Sequence, residues 1–299
     1  MIDSEELIQA GAGLHDRFGT EAASRFGADL PDRLRVLTSQ WGIEVGPLVD
    51  SGASAVVLGA LLATGEPAVV KVSPDAEALA RQVWMLEHLA PTGRVPAVYD
   101  AAVGAVLMER VLPGEEAGTD GRVPPSEEEW ADLLRDLHST APAPVVDRLD
   151  DRCADMFERI GARQAVEGVR AQVPDATWER AIEVCRRLLE GGGDQAAIHG
   201  DLHLGNALTS DQHGLVAVDP KLCVGDRCFD MVDFVAVAGD TEQMAARARR
   251  LAGLTGVDPD RLLAWSAVNA VVTAISRITW FGSDQRSQEL LAFSGRYLR

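Results

Sequence analysis

One run of residues and its echo constrain this 299-residue chain more than anything else in it: His199-Gly200-Asp201-Leu202-His203-Leu204-Gly205-Asn206, then Leu215-Val216-Ala217-Val218-Asp219-Pro220. An acid and an amide stand five positions apart, and a second acid ends an apolar strand thirteen residues later. Phosphoryl transfer from ATP needs such a set. One carboxylate sits beside the attacking hydroxyl, and an amide and a carboxylate hold Mg²⁺ on the triphosphate. The pattern assigns Asp201 as general base and Asn206 and Asp219 as Mg²⁺ ligands. A lone acid in a loop reads as a turn cap. Three groups at this spacing, the last delivered by a strand, read as a site.

The rest of the chain falls into two parts. The first forty residues carry helical periodicity, with Leu30, Leu34, Leu37 and Trp41 in phase after a start at Asp29-Leu30-Pro31. Strand patterns follow over 45–49, 55–62 and 68–72, with turns at Asp50–Ser54 and Thr64–Pro67. A helix is expected over 76–89 and a strand pair over 95–101 and 105–112. Helices then dominate, over 126–139, 147–165, 174–189, 242–254 and 259–279. The predicted fold is α+β: a helical stretch and a small antiparallel sheet over 1–112, then a mainly helical lobe over 113–299. This is the layout of a protein-kinase-like two-lobed fold.

Lys71, in Val69-Val70-Lys71-Val72, is the candidate for the α- and β-phosphates. Flanked by apolar residues on a strand, it is expected to face the less buried side, and an edge lysine with a buried stem is the alternative. A helix carboxylate should hold it, with Glu77 the first choice and Glu87 the reserve, because Gln82 carries no charge. Ser51-Gly52-Ala53-Ser54 occupies the place of a phosphate-covering loop, where small residues let backbone N–H groups approach phosphate. Ser54 is therefore a candidate ATP contact, although a plain hairpin turn reads equally well. Met108 is expected behind the adenine, and the backbone of Arg110 and Val111 beside it. No G-x-x-x-x-G-K-[ST] run occurs, which argues against a Walker-type site.

Composition narrows the partners. A net charge of −18 disfavours nucleic acid and anionic membranes and is compatible with a cationic small molecule. The first residues are acidic and do not form a secretory signal. The most apolar stretch, 262–275, is short for a bilayer span and carries Ser266 and Asn269. A cytoplasmic, monomeric protein is expected. Cys153, Cys185, Cys223 and Cys228 lack CxxC spacing and read as buried thiols. His199 and His203 suggest a metal-dependent phosphohydrolase as the alternative of another class, but no further His or Asp cluster follows them. His199 is expected to pack the loop, and Asp230 to cap a helix over 231–237 while bracing the catalytic loop.

HGDLHLGN (199–206) and VAVDPKLCVGDRCFD (216–230) together resemble the aminoglycoside phosphotransferases, most closely the subgroup of streptomycin 6-phosphotransferases and hydroxyurea kinases. The likeness extends to AVVKVSPDAEA (68–78), VLMERVLPG (106–114) and LLRDLHS (133–139). It implies an ATP- and Mg²⁺-dependent transfer to a hydroxyl of a small molecule, with Lys71 on the phosphates, Asp201 as base and Asn206 and Asp219 on the metal. The acceptor it implies is an aminoglycoside of the streptomycin type, or else hydroxyurea or another small hydroxyl metabolite. The chain departs from many such relatives at Gln82, where they carry glutamate, and in its glycine-poor 51–54 turn. A nucleotide-binding protein without turnover is a further alternative.

Overall fold

The computed structural model describes residues 3–51, 54–118 and 123–299. The chain divides into two compact units, Met1–Gly114 and Glu115–Arg299, so the division falls two residues after the boundary read from the sequence.

The N-terminal unit opens with three helices, α1 (Ser4–Ala12), α2 (His15–Phe18) and α3 (Thr20–Trp41). The expected start near Asp29 is wrong: α3 begins at Thr20 and carries Pro31 inside it. An interior proline costs about 3 kcal/mol. Burial of Ala23, Phe26, Leu30, Leu34 and Leu37 along one face offsets it. The α1 and α3 backbones meet at two glycines, where a Cβ on Gly11 would lie 2.5 Å from the Gly27 Cα. A five-stranded antiparallel sheet follows, built from β1 (Glu44–Ser51), β2 (Val56–Leu61), β3 (Pro67–Val72), β4 (Val98–Ala102) and β5 (Ala105–Glu109) in the order β1-β2-β3-β5-β4. Helix α4 (Ala76–Leu89) is inserted after β3, capped by the Asp75 carboxylate on the Ala78 N–H. Leu30, Leu34 and Leu37 share one core with Val56, Leu58, Val70, Val72 and Leu107.

A short strand, β6 (Pro113–Glu116), leads into the C-terminal unit, where Ala117 donates its N–H to the Ala207 carbonyl at 2.8 Å. Helices α5 (Glu127–Leu137), α6 (Leu149–Gln164), α7 (Glu167–Arg170) and α8 (Asp175–Glu190) come next. Four short strands carry the 195–226 region: β7 (Gln195–Ile198), β8 (Ala207–Ser210), β9 (Gly214–Ala217) and β10 (Cys223–Asp226). The chain ends in α9 (Val232–Val235), α10 (Thr241–Thr255), α11 (Pro259–Phe281) and α12 (Gln285–Tyr297). By length and composition α11, which extends beyond 262–275 at both ends, is long and apolar enough to cross a membrane. Its apolar side chains, Trp265, Val268, Val271 and Ile275 among them, are buried inside the unit against α8, α10 and α12. The four cysteines are buried free thiols, as expected.

Candidate active site

Two antiparallel pairings build the centre of the C-terminal unit. Strand β7 pairs with β10, Ile198 opposite Cys223, and the pairing continues as the Lys221 N–H donates to the His199 carbonyl at 2.9 Å. Gly200 then turns with φ +78°, where a Cβ would lie 2.3 Å from the Lys221 carbonyl oxygen, so only glycine fits. Asp201 follows directly. Strand β8 pairs with β9, Ala207 opposite Ala217, and the Val218 N–H extends this ladder to the Asn206 carbonyl at 2.9 Å. Asn206 thus stands opposite Val218, and Asp219 is the next residue. His199 joins the two pairings through Nε2, 3.0 Å from the Val218 carbonyl.

The three residues picked out by the sequence therefore converge. Asn206 closes a single 3-10 turn, Leu204–Asn206, and its Nδ2 donates to the Asp201 carbonyl at 2.9 Å. That bond fixes the amide and leaves Oδ1 as its remaining group. Asp219 has φ 55°, the one non-glycine residue with positive φ among the described residues. A residue before proline favours extended backbone, and an L residue disfavours this region, so Asp219 is held against both preferences. Such strain gathers at functional positions. An amide oxygen and a carboxylate are hard oxygen donors, the set that suits Mg²⁺.

Asp230 braces the loop, but not as a helix cap. It lies inside a 3-10 turn, Arg227–Met231, and α9 has no side-chain cap. Its carboxylate instead accepts the His199 N–H at 2.7 Å and the Gly200 N–H at 2.8 Å, with His138 Nε2 3.0 Å away. Burial alone would raise this carboxyl. His138, His199 and the amide bond outweigh burial and hold it below the usual carboxylate range. His199 is fully buried, which pushes its imidazole below the ordinary histidine range. It is a neutral packing residue rather than a metal ligand. Among the described residues no group of three or more His, Cys, Asp or Glu is placed to hold a metal, as the phosphohydrolase alternative requires.

Two cations that the sequence reading missed flank Asp201. Lys221 Nζ is 2.7 Å from Oδ2, and Arg152 approaches Oδ1 at 3.6 Å. Burial would raise the carboxyl, but Lys221, with Arg152 and His203 behind it, brings it below the usual range. Lys221 is two residues past Asp219, in Asp-Pro-Lys, and that nearness was its only signal. Arg152, on α6, gives no signal in the sequence. Asp233, on α9, accepts from Asn269 Nδ2 of α11 at 3.2 Å and makes no ion pair among the described residues. Burial pushes its carboxyl up, and it feels the charges of His203 and Asp201.

The remaining candidates belong to the N-terminal unit. Lys71 is on the central strand β3, between Val57 and Val106, and only 6% exposed. It faces the less buried side, as expected, since Ala68, Val70 and Val72 on the opposite face are in the core, but the edge-strand alternative is incorrect. Glu77 and Glu87 are exposed on α4 and make no ion pair among the described residues. The inward face carries Leu79, the half-buried Gln82, Leu86 and Leu89. Glu77, the first choice, thus lies on the exposed side of α4. Ser54 accepts the Ser73 hydroxyl on its carbonyl at 2.7 Å, whereas Gly52 and Ala53 lie outside the described residues. Met108 and Val111 are buried, and Arg110 is exposed, with NH1 3.3 Å from where a Cβ on Gly59 would stand.

A profile of the family described as "Aminoglycoside/hydroxyurea antibiotic resistance kinase" matches residues 40–280. Hydroxyurea phosphotransferase of Kitasatospora aureofaciens is 27% identical over 266 residues, covering 84% of this chain and 74% of the relative. Streptomycin 3''-kinase of Klebsiella pneumoniae is 30% identical over 238 residues, covering 73% and 81%. Among solved structures, ADP-bound aminoglycoside phosphotransferase APH(2'')-Ib superposes with a TM-score of 0.58 at 16% identity, covering 90% of this chain and 96% of that one. The fold is protein-kinase-like, and the chain belongs to the aminoglycoside/hydroxyurea antibiotic resistance kinase family, a family of phosphotransferases.

Proposed function

We propose that this phosphotransferase moves the γ-phosphate of ATP to a hydroxyl of a cationic small molecule, an aminoglycoside of the streptomycin type, and so inactivates it. The observation that carries this reading is the convergence of Asp201, Asn206 and Asp219 through two strand pairings. Asp201 orients the acceptor hydroxyl and takes its proton. The hydroxyl oxygen bonds to the γ-phosphorus as the bond to the β–γ bridging oxygen breaks, and ADP leaves with that electron pair. Asn206 and Asp219 would hold Mg²⁺, which neutralises charge on the phosphate oxygens when bound. Lys71 is assigned to the α- and β-phosphates, and Met108, Arg110 and Val111 to the adenine. Ser54 is assigned to the phosphate-covering turn.

The charge of −18 and Asp233, which makes no ion pair among the described residues, support a cationic acceptor. Hydroxyurea is the second reading, favoured by the relative of that activity that spans 84% of this chain. We place the enzyme in the cytoplasm as a monomer.

The test is a mass-shift screen of the pure protein with Mg-ATP against streptomycin, hydroxyurea and neutral polyols. Gain of one phosphate on streptomycin is expected. Gain on hydroxyurea alone would replace the acceptor and keep the kinase. No gain on any hydroxyl compound, with no hydrolysis of ATP, would overturn the reading.

A further inference from the structure

The two cations on Asp201 are not required by the fold's core. Lys221 is exposed and its side chain is about half accessible, so packing does not decide where its ammonium goes. Its backbone, by contrast, is fixed. The N–H bonds to His199 and the carbonyl lies against Gly200. The segment thus holds, two residues past Asp219, an ammonium 2.7 Å from Asp201 Oδ2. Arg152 sits on the other carboxylate oxygen and is itself anchored by donating to the Gly200 carbonyl at 2.8 Å.

An exposed ion pair contributes little to stability, at most about 1 kcal/mol. A carboxylate approached at both oxygens by cations from two different elements is, however, restrained in its orientation. Fixed orientation is what a group that aims a hydroxyl at phosphorus needs, because positioning supplies much of the acceleration in phosphoryl transfer. An ammonium next to the base is also next to the attacking oxygen, where negative charge gathers as the γ-phosphoryl moves.

We propose that Lys221 is a positioning residue of the transfer step, holding the Asp201 carboxylate in its working orientation while Arg152 secures the opposite oxygen. This rests on the assignment of Asp201 as the group that receives the hydroxyl proton. Lys221 forms no covalent bond and exchanges no proton in the step.

The experiment compares Lys221→Met and Lys221→Arg with the unmodified chain, each also in an Asp201→Asn background. Rates are measured with Mg-ATP and whichever hydroxyl acceptor gains phosphate, and with water as acceptor. ADP affinity is measured by calorimetry. Lys221→Met should lower kcat about 100-fold with the KM for ATP and the ADP affinity changed less than about threefold. Lys221→Arg should recover at least about tenfold of that loss, since it restores a cation of similar reach. In the Asp201→Asn background the loss from Lys221→Met should shrink below about threefold, because a residue acting through Asp201 has nothing left to position. If Lys221→Met does not fold, Lys221→Gln takes its place.

A kcat within threefold of the unmodified chain overturns the proposal. So does an equal loss in both backgrounds, or a loss confined to KM. Absence of any turnover in the unmodified protein would instead remove the functional reading, and this proposal with it.

Discussion

His138 and Asp230 meet at 3.0 Å with both side chains shut away from solvent, 1% and 0% accessible. The same carboxylate accepts the two amide N–H groups that open the Asp201 loop, from His199 and Gly200. One buried acid therefore holds α5's end, through His138, to the turn that presents Asp201. Removing it leaves two buried N–H groups and the His138 Nε2 without their partner. Breaking a buried pair on one side costs about 3–5 kcal/mol. Asp230→Ala should lose about that much in urea unfolding and lose activity with it. Unfolding at the unmodified midpoint would show that the brace is dispensable.

The same pair sets an acid limit. The Asp230 carboxyl is held below its ordinary range, so the unfolded chain takes that proton first once pH drops below about 4. His199 is buried as the neutral form, with Nε2–H on the Val218 carbonyl, so the unfolded chain also takes a proton there below about 6.5. In both cases the unfolded state binds more protons, and stability must fall as pH falls. Urea midpoints should drop from about pH 6.5 downward, by at most about 1.4 kcal/mol per pH unit for one proton. His199→Gln should flatten the part between pH 5 and 6.5. A His199→Gln profile that parallels the unmodified chain between pH 5 and 6.5 would contradict the neutral assignment.

Asp201→Asn separates chemistry from binding. The amide fills the same space but cannot accept the hydroxyl proton as an anion. Turnover should fall about 10²–10⁴-fold, the usual span for a general acid–base group. ADP affinity should stay within about threefold, because Asp201 is not among the residues assigned to nucleotide. Near-normal turnover would remove Asp201 from the role of base.

How much of this was legible in the sequence depended on how local each signal was. The Asp201, Asn206 and Asp219 set was legible because loop and strand lie within one stretch of chain, and the β8–β9 register brings its ends together. The helices 127–137, 149–164 and 175–190 were legible from periodicity. Arg152 and Asp233 were not, because helices α6 and α9 bring them near Asp201 from opposite sides in sequence and each looks like any charged surface residue. The start of α3 was misplaced because Asp29-Leu30-Pro31 reads as a helix start, whereas packing on α1 carries the helix through it from Thr20. The side of Lys71 was legible from the alternation, but its near-complete burial was not, because flanking apolar residues do not reveal that β3 is the sheet's middle strand.

Asp219 carries a prediction in which stability and function move apart. At φ 55° an L residue is strained by about 1–2 kcal/mol, and glycine is not. Asp219→Gly should therefore be more stable than Asp219→Ala by about 1 kcal/mol in thermal or urea unfolding. Both should weaken Mg-ATP binding, since both lack the carboxylate. Equal stability of the two variants would mean that the backbone relaxes freely at this position.

Asp233 supplies a test of the proposed cationic acceptor. It is a half-buried carboxylate with one hydrogen bond, from Asn269, and no ion-pair partner among the described residues. A buried charge without a partner is costly, and here burial already pushes the carboxyl up. A guanidinium or amine of the acceptor would relieve that cost, while Lys221 and Arg152 keep the acceptor's cation away from Asp201 itself. Asp233→Asn should then raise the KM for streptomycin about tenfold or more, with the KM for ATP unchanged. Hydroxyurea is uncharged and should be affected less than about threefold. Equal losses with the cationic and the neutral acceptor would place Asp233 in the scaffold and leave the cation's partner to another residue.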